Sequence, residues 1–159
     1  MSLKLEPLAQ YPQYHAVVAD WFSTEWPDYY GPGGVGDAPA DVARYAQPAN
    51  TAPYGLLALQ DDQPCGFAAL KTETFPSHPE LGPWLGAAYV PPPLRRGGIG
   101  AALITGLEDA ARQMGYPQLY CATATTDSLM LRCHWTLLDT VQHQGHAIRV
   151  YFKPLSSRS

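Results

Sequence analysis

Polar and apolar residues alternate from Ser2 to Leu8, with Leu3 and Leu5 set against Lys4 and Glu6. A period of two predicts an opening edge strand. The period then lengthens. Tyr14, Val17, Val18, Trp21 and Phe22 recur three and four apart, which predicts a helix over Tyr11–Glu25. Trp26-Pro27 ends it, because the residue before a proline avoids the helical region. Asp37 is placed as an N-cap with Pro39 in the first turn, so a short second helix is expected over Asp37–Gln47. Between these helices, Asp28–Asp37 holds Tyr29, Tyr30 and four glycines and is a loop by composition. Two readings of it stay open: a flexible connector, or a substrate-side lid carrying two tyrosines.

Tyr54–Gln60 and Cys65–Thr72 read as the strands of a hairpin around the turn Asp61-Asp62-Gln63-Pro64. After a proline-containing loop over Thr74–Pro83, Trp84–Val90 is almost wholly apolar, as expected of a central strand buried on both faces. Gly98–Gly115 is the clearest helix. Ile99, Leu103, Leu107, Ala110 and Met114 mark one face, and Gly115 is a stop signal. A strand at Gln118–Thr123 completes a β-α-β unit, which implies a parallel pair. A short helix is expected over Thr126–Cys133. Two antiparallel strands, Trp135–Gln142 and Ala147–Lys153, should flank the turn His143–His146. No repeat, heptad or linker divides the chain, so one domain over residues 1–159 is expected.

Composition narrows the function. Hydrophobic residues make up 46% and charged residues 15%, a globular balance. The net charge of -4 argues against a nucleic-acid partner, so any anion site must be a local cluster. Cys65, Cys121 and Cys133 show no CxxC spacing, which disfavours zinc and dithiol chemistry and suits a reducing cytoplasm. His143 and His146 lack an evident third ligand, so no metal is expected. Residues Met1–Glu6 lack the apolar run of a signal peptide, and no segment approaches the ~20 apolar residues of a membrane span. The expectation is a cytoplasmic protein with no membrane partner.

One stretch carries chemistry. The buried strand ending at Tyr89-Val90 runs into Pro91-Pro92-Pro93-Leu94, then Arg95-Arg96-Gly97-Gly98-Ile99-Gly100-Ala101, which opens the strong helix. The first turn of a helix leaves backbone N–H groups unpaired, and the helix dipole favours an anion there. Glycines at 97, 98 and 100 remove side chains that would block a phosphate. Arg95 and Arg96 add charge and directional donors. The Walker pattern fails for want of a Gly-Lys-Ser/Thr, and GxGxxG fails because Leu103 follows Gly100 where a glycine is required.

Arg95-x-x-Gly98-x-Gly100 resembles motif A of the GNAT superfamily of acetyltransferases, and the order of elements is similar to that fold along nearly the whole chain. The resemblance implies an α+β, three-layer α/β/α architecture: a mixed, mostly antiparallel sheet of about seven strands with about four helices. It implies acetyl-CoA as cofactor, with the backbone of Tyr89 and Val90 on the pantetheine arm and the N–H groups of Arg96–Ala101 on the pyrophosphate. The reaction it implies is direct attack by a primary amine of a small molecule or peptide on the thioester. Val90 would supply the oxyanion donor.

The sequence departs from the family at the acid. A tyrosine that protonates the thiolate is usual in the segment matched by Leu129–Trp135, and Met130 holds its place, while His134 replaces a glycine. Candidates for the acid are Tyr120, Cys121, Tyr29, Tyr30 and His134; candidates for the base are Glu73 and Glu25. Trp26, Tyr29 and Tyr30, with Trp21 and Trp84, furnish an aromatic acceptor side that suits an ammonium. A catalytically weak CoA-binding regulatory module on the same fold is the alternative. The apolar C-terminal strand (Ile148, Val150, Tyr151, Phe152) is a candidate for exchange across a homodimer.

Overall fold

A computed structural model describes residues 3–47 and 51–155. Ser2, at the start of the expected first strand, lies outside them. Strand β1 (Leu3–Pro7) pairs antiparallel with β2 (Tyr54–Gln60), and β2 with β3 (Gln63–Lys71). The turn between β2 and β3 is only Asp61-Asp62. Both adopt positive φ, 52° and 65°, the two-residue turn whose twist matches a hairpin, so β3 begins two residues before the sequence pattern suggests. β3 pairs antiparallel with β4 (Trp84–Tyr89), which is parallel to β5 (Gln118–Thr123). β6 (Thr136–His143) and β7 (His146–Pro154) complete a seven-stranded sheet of order β1-β2-β3-β4-β5-β7-β6. The C-terminal strand therefore lies inside the sheet, paired with both β5 and β6. β6 is the edge on this side of the sheet.

Helices cover both faces. α1 (His15–Glu25) and α3 (Ala38–Tyr45) bury Val18, Phe22, Val42 and Tyr45 against Leu57, Leu59 and Phe67. α4 (Ile99–Met114) buries Leu103, Ile104 and Leu107 on the opposite face, against Leu56, Ala58, Ala68 and Leu85. Successive residues of β2 thus enter different cores, as the period of a strand buried on both sides requires. Asp37 caps α3 as expected, its Oδ1 accepting from Ala40 N–H at 3.1 Å.

Four details differ from the sequence pattern. Pro12–Tyr14 is a 3-10 turn, so α1 starts at His15. Val17, expected on the buried face, is 36% exposed, and Val18 and Phe22 carry the packing. Pro27–Tyr30 winds into one helical turn, α2, begun by a proline whose missing N–H costs nothing at that position. β4 is buried at Trp84 and Leu85, but Gly86 and Ala87 are half-buried and Ala88 is exposed, so it is not covered on both faces along its length.

The cause of the last difference is a bulge. Ala69 pairs with Gly86 and Phe67 with Tyr89, so Ala87 and Ala88 stand opposite Ala68 alone. Ala87 takes φ +53°, a left-handed conformation uncommon for a residue with a Cβ. Trp84–Tyr120 is the one register pair between β4 and β5 among the described residues. Beyond it the two parallel strands part, and the sheet opens.

Candidate active site

On the α4 face of the opening lies the anion cradle. After Val90, a 3-10 turn at Pro92–Leu94 and a left-handed Arg96 (φ +71°) lead to Gly98, whose φ of +88° makes it the N-cap of α4. The first helical bond runs from Ala102 N–H to Gly98 C=O at 3.0 Å, and no side chain caps the turn. The N–H groups of Ile99, Gly100 and Ala101 therefore meet no intrahelical acceptor. A Cβ on Gly100 would stand 3.4 Å from Leu129 Cδ2, at the wall of the cradle. A cleft of about 660 Å³ runs along this turn, and Tyr89, Val90, Arg95, Arg96, Gly98, Ile99, Gly100 and Ala101 line it, opposite Thr126 and Leu129. Gly97 is the one expected cradle residue outside the lining.

The two arginines divide. Arg95 donates from Nε to the Val90 carbonyl at 2.6 Å, lies 5.4 Å over the Tyr89 ring, and reaches Glu25 at the end of α1 at 3.5 Å. It fastens the strand end to α1. Arg96 forms no ion pair or side-chain hydrogen bond among the described residues and remains available to an anion.

On the other face, below α1 and α3, is a second cleft of about 750 Å³, within the range of small-molecule sites. Trp26, Tyr29 and Tyr30 line it, as the aromatic pattern suggested. Phe75 and Trp84 close it, with ring centroids 5.9 Å apart, and Phe75 also packs on His143 at 5.0 Å. The loop carrying Phe75 is tied to β6 by His78 Nε2 and Asp139 at 3.2 Å. The two clefts share one strand: Gly86 and Ala87 line the aromatic cleft, and Ala88, Tyr89 and Val90 the anion cleft.

The floor of the aromatic cleft is charged. One Arg44 nitrogen donates to Asp41 Oδ1 at 2.6 Å and to Glu73 Oε2 at 2.8 Å, while the Tyr30 hydroxyl donates to Asp41 Oδ2 at 2.6 Å. Burial, reinforced by the bond to Asp41, pushes the Tyr30 hydroxyl far above its ordinary value, so it stays protonated. Burial acts most strongly and raises the Glu73 carboxyl, but the Arg44 hydrogen bond, a main-chain hydrogen bond and the charges of Lys71 and Arg44 together hold it below the usual carboxylate value. Lys71 enters the same cleft from the end of β3.

The remaining candidates are dispersed. Tyr120 is buried on Trp84, centroids 5.6 Å apart, at the point where the strands part. Cys121 points to the opposite core, where burial pushes its thiol up to about 12. His134 sits exposed in a left-handed turn (φ +68°) after α5 (Asp127–Arg132) and lines neither cleft; that conformation explains why glycine suits the position. Met130 is buried in the core beneath α4, and its neighbour Leu129 faces the anion cleft. Glu25 lines the anion cleft, not the aromatic one. Sequence reasoning missed Lys71, Asp41, Arg44 and Phe75. The only signal was Lys71 and Glu73 two apart at a strand end, which places both on one face. Among the described residues, no three His, Cys, Asp or Glu side chains are placed to hold a metal, and no helix is long and apolar enough to cross a membrane.

A helix N-terminus cradle joined through a parted sheet to a second cleft is the layout of an enzyme that brings an anionic group donor to an acceptor. The Acetyltransferase (GNAT) family model matches residues 17–135, and the chain belongs to that family. Among curated proteins, none matches. Solved structures similar to the chain include an aminoglycoside 6'-N-acetyltransferase complexed with coenzyme A (14% identity, 100% of this chain and 99% of that chain covered, TM-score 0.77). Another is the aminoglycoside 6'-N-acetyltransferase from Enterococcus faecium (14% identity, 100% and 99% covered, TM-score 0.76). A third is the Salmonella typhimurium protein yncA with its cofactor acetyl-CoA (15% identity, 100% and 96% covered, TM-score 0.72). At these identities the likeness speaks for the fold: an open, mixed seven-stranded sheet of the α+β class, as the motif-A resemblance implied.

Proposed function

We propose that this chain transfers the acetyl group of acetyl-CoA to a primary amine of a small molecule or peptide held in the aromatic cleft. The carrying observation is that five consecutive residues, Gly86 to Tyr89 of β4 and Val90 just after it, divide between the two clefts where β4 leaves β5. The cradle fits the pyrophosphate of the cofactor: among the described residues its N–H groups are uncapped and Arg96 is unpaired, and Gly100 leaves its wall open. When bound, acetyl-CoA supplies an acetyl thioester.

The chain's own residues then have mainly positioning to do. The main chain at Tyr89 and Val90 borders the pantetheine arm, and the Val90 N–H is offered to the developing oxyanion. Glu73, kept ionised by Arg44, receives the acceptor's ammonium before it loses a proton. Acetyl-CoA so held would give its acetyl group to the amine and leave as the free thiol, its sulphur keeping the electron pair of the carbon–sulphur bond and taking up the amine's surplus proton. Tyr120, at the parting of the strands, is the side chain we assign to relay it. The free cysteines suit a cytoplasmic setting.

Calorimetric titration with acetyl-CoA, followed by thiol release over a panel of amines, tests the proposal. Binding with turnover is the expected result; a folded sample that binds no acetyl-CoA overturns it. The burial of Met130, where the family places its tyrosine, favours one alternative, a catalytically weak CoA-binding module, which tight binding without turnover would establish.

A further inference from the structure

The charges of the aromatic cleft do not cancel locally. Arg44 answers both carboxylates, at 2.6 Å for Asp41 and 2.8 Å for Glu73, and the second Asp41 oxygen accepts from Tyr30. Asp41 is thus satisfied at both oxygens. Glu73 is bonded by Arg44 through Oε2 only, which leaves Oε1 open to a further donor.

Lys71 is the cation of the cleft without a direct partner among the described residues, although its charge helps to hold the Glu73 carboxyl low. It shares a face of β3 with Ala69, which pairs with Gly86, and its stem lies along β4: a Cβ at Gly86 would stand 2.8 Å from Lys71 Cδ. The glycine makes room for the lysine. Lys71 lines the cleft and is half-buried, yet it forms no ion pair or side-chain hydrogen bond among the described residues. A cation withdrawn from water without a partner is unfavourable, and a ligand that brings the missing anion removes that cost. Counting Asp41 and Glu73 against Arg44 and Lys71, the cleft has no surplus negative charge with which to gather several ammonium groups. Around these charges the walls are aromatic: Trp26, Tyr29, Phe75 and Trp84.

The geometry points to an acceptor that is itself a zwitterion, a primary amine carrying one carboxylate and a large apolar body, of the amino-acid kind. Its carboxylate pairs with Lys71, its ammonium docks on the open oxygen of Glu73 before deprotonation, and its body lies among Trp26, Phe75 and Trp84. This rests on the acetyl transfer proposed above.

The test is thiol release from acetyl-CoA with free phenylalanine, its decarboxylated counterpart phenethylamine, spermidine and an aminoglycoside, on the unaltered protein, Lys71→Met and Lys71→Arg. Methionine keeps the stem over Gly86, and an unchanged melting temperature verifies the fold. Phenylalanine is expected to exceed phenethylamine in kcat/KM by about tenfold, the scale of one charge-assisted contact. Lys71→Met should abolish that preference, chiefly through a higher KM for phenylalanine, while Lys71→Arg retains it. Phenethylamine, spermidine or the aminoglycoside turned over as well as phenylalanine, or a preference that survives Lys71→Met, overturns the inference and leaves acetyl transfer standing. No release with any amine, from protein that binds acetyl-CoA, overturns the acetyl transfer and this inference with it.

Discussion

Trp84 and Tyr120 face each other across β4 and β5 with ring centroids 5.6 Å apart, and they mark the last register pair before these strands separate. The bulge at Ala87–Ala88, three to four residues further along β4, is what turns the strand away. Ala87 is the strained residue in it. Ala87→Val puts a β-branched side chain where φ is +53°, at a cost of about 1–3 kcal/mol. Lowered thermal stability and a loss of turnover larger than the loss of acetyl-CoA affinity are expected. A variant as active and stable as the parent would show that the bulge does not hold the clefts in register.

Gly98 separates backbone strain from anion binding. Its φ of +88° makes Gly98→Ala unfavourable by about 1 kcal/mol, although nothing lies within 4 Å of the added Cβ. Gly98→Glu carries the same strain and adds a carboxylate at the mouth of the cradle. Calorimetry should find acetyl-CoA bound by the alanine variant and not by the glutamate variant, with similar melting temperatures. Equal binding by both would place the pyrophosphate elsewhere.

Arg44 sets the charge of Glu73. In the parent, burial raises the Glu73 carboxyl, and the Arg44 hydrogen bond and charge are the main part of what brings it below the ordinary value. Arg44→Met removes the largest of the lowering contributions and keeps burial, so Glu73 should titrate higher than in the parent. If ionised Glu73 receives the ammonium, the acid limb of kcat/KM moves to higher pH in the variant. An acid limb that stays in place removes Glu73 from acceptor binding.

Asp127 governs acid stability at the start of α5. Hydrogen bonds from Arg149 and from Tyr151 hold its carboxyl at about 2, below the 3.8 of an unperturbed aspartate. A depressed folded-state value means the contribution is complete above the unfolded value and is lost as pH falls from about 4 to about 2. Asp127→Asn should melt lower than the parent at pH 7, and the gap should close near pH 2. A gap that is constant with pH would assign the effect to packing.

The turn that opens α4 was legible because it is local: strand end, prolines, arginines, glycines and helix follow one another. The hairpins and the long helix were legible for the same reason, through periods of two and of 3.6. The aromatic cleft was legible only as a set of residue types. Its charges come together because Arg44 at the end of α3 meets Glu73, 29 positions along, and no spacing rule connects them. The departure of β4 from β5 was hidden altogether, since Ala87 is an unremarkable strand residue until its φ is known. The place of β7 between β5 and β6 was hidden too, because a local apolar pattern does not report strand order.

The two halves of the opening are built from different materials. The cradle side is read by main-chain groups of α4, which any sequence able to hold that turn presents. The opposite side is shaped by side chains from α2, α3, the end of β3 and the loop carrying Phe75. Under the proposed transfer, drift in those side chains would change the acceptor while the cradle stays as it was. Inheritance of the cradle and inheritance of the preference are therefore separable traits, and relatives sharing the first need not share the second.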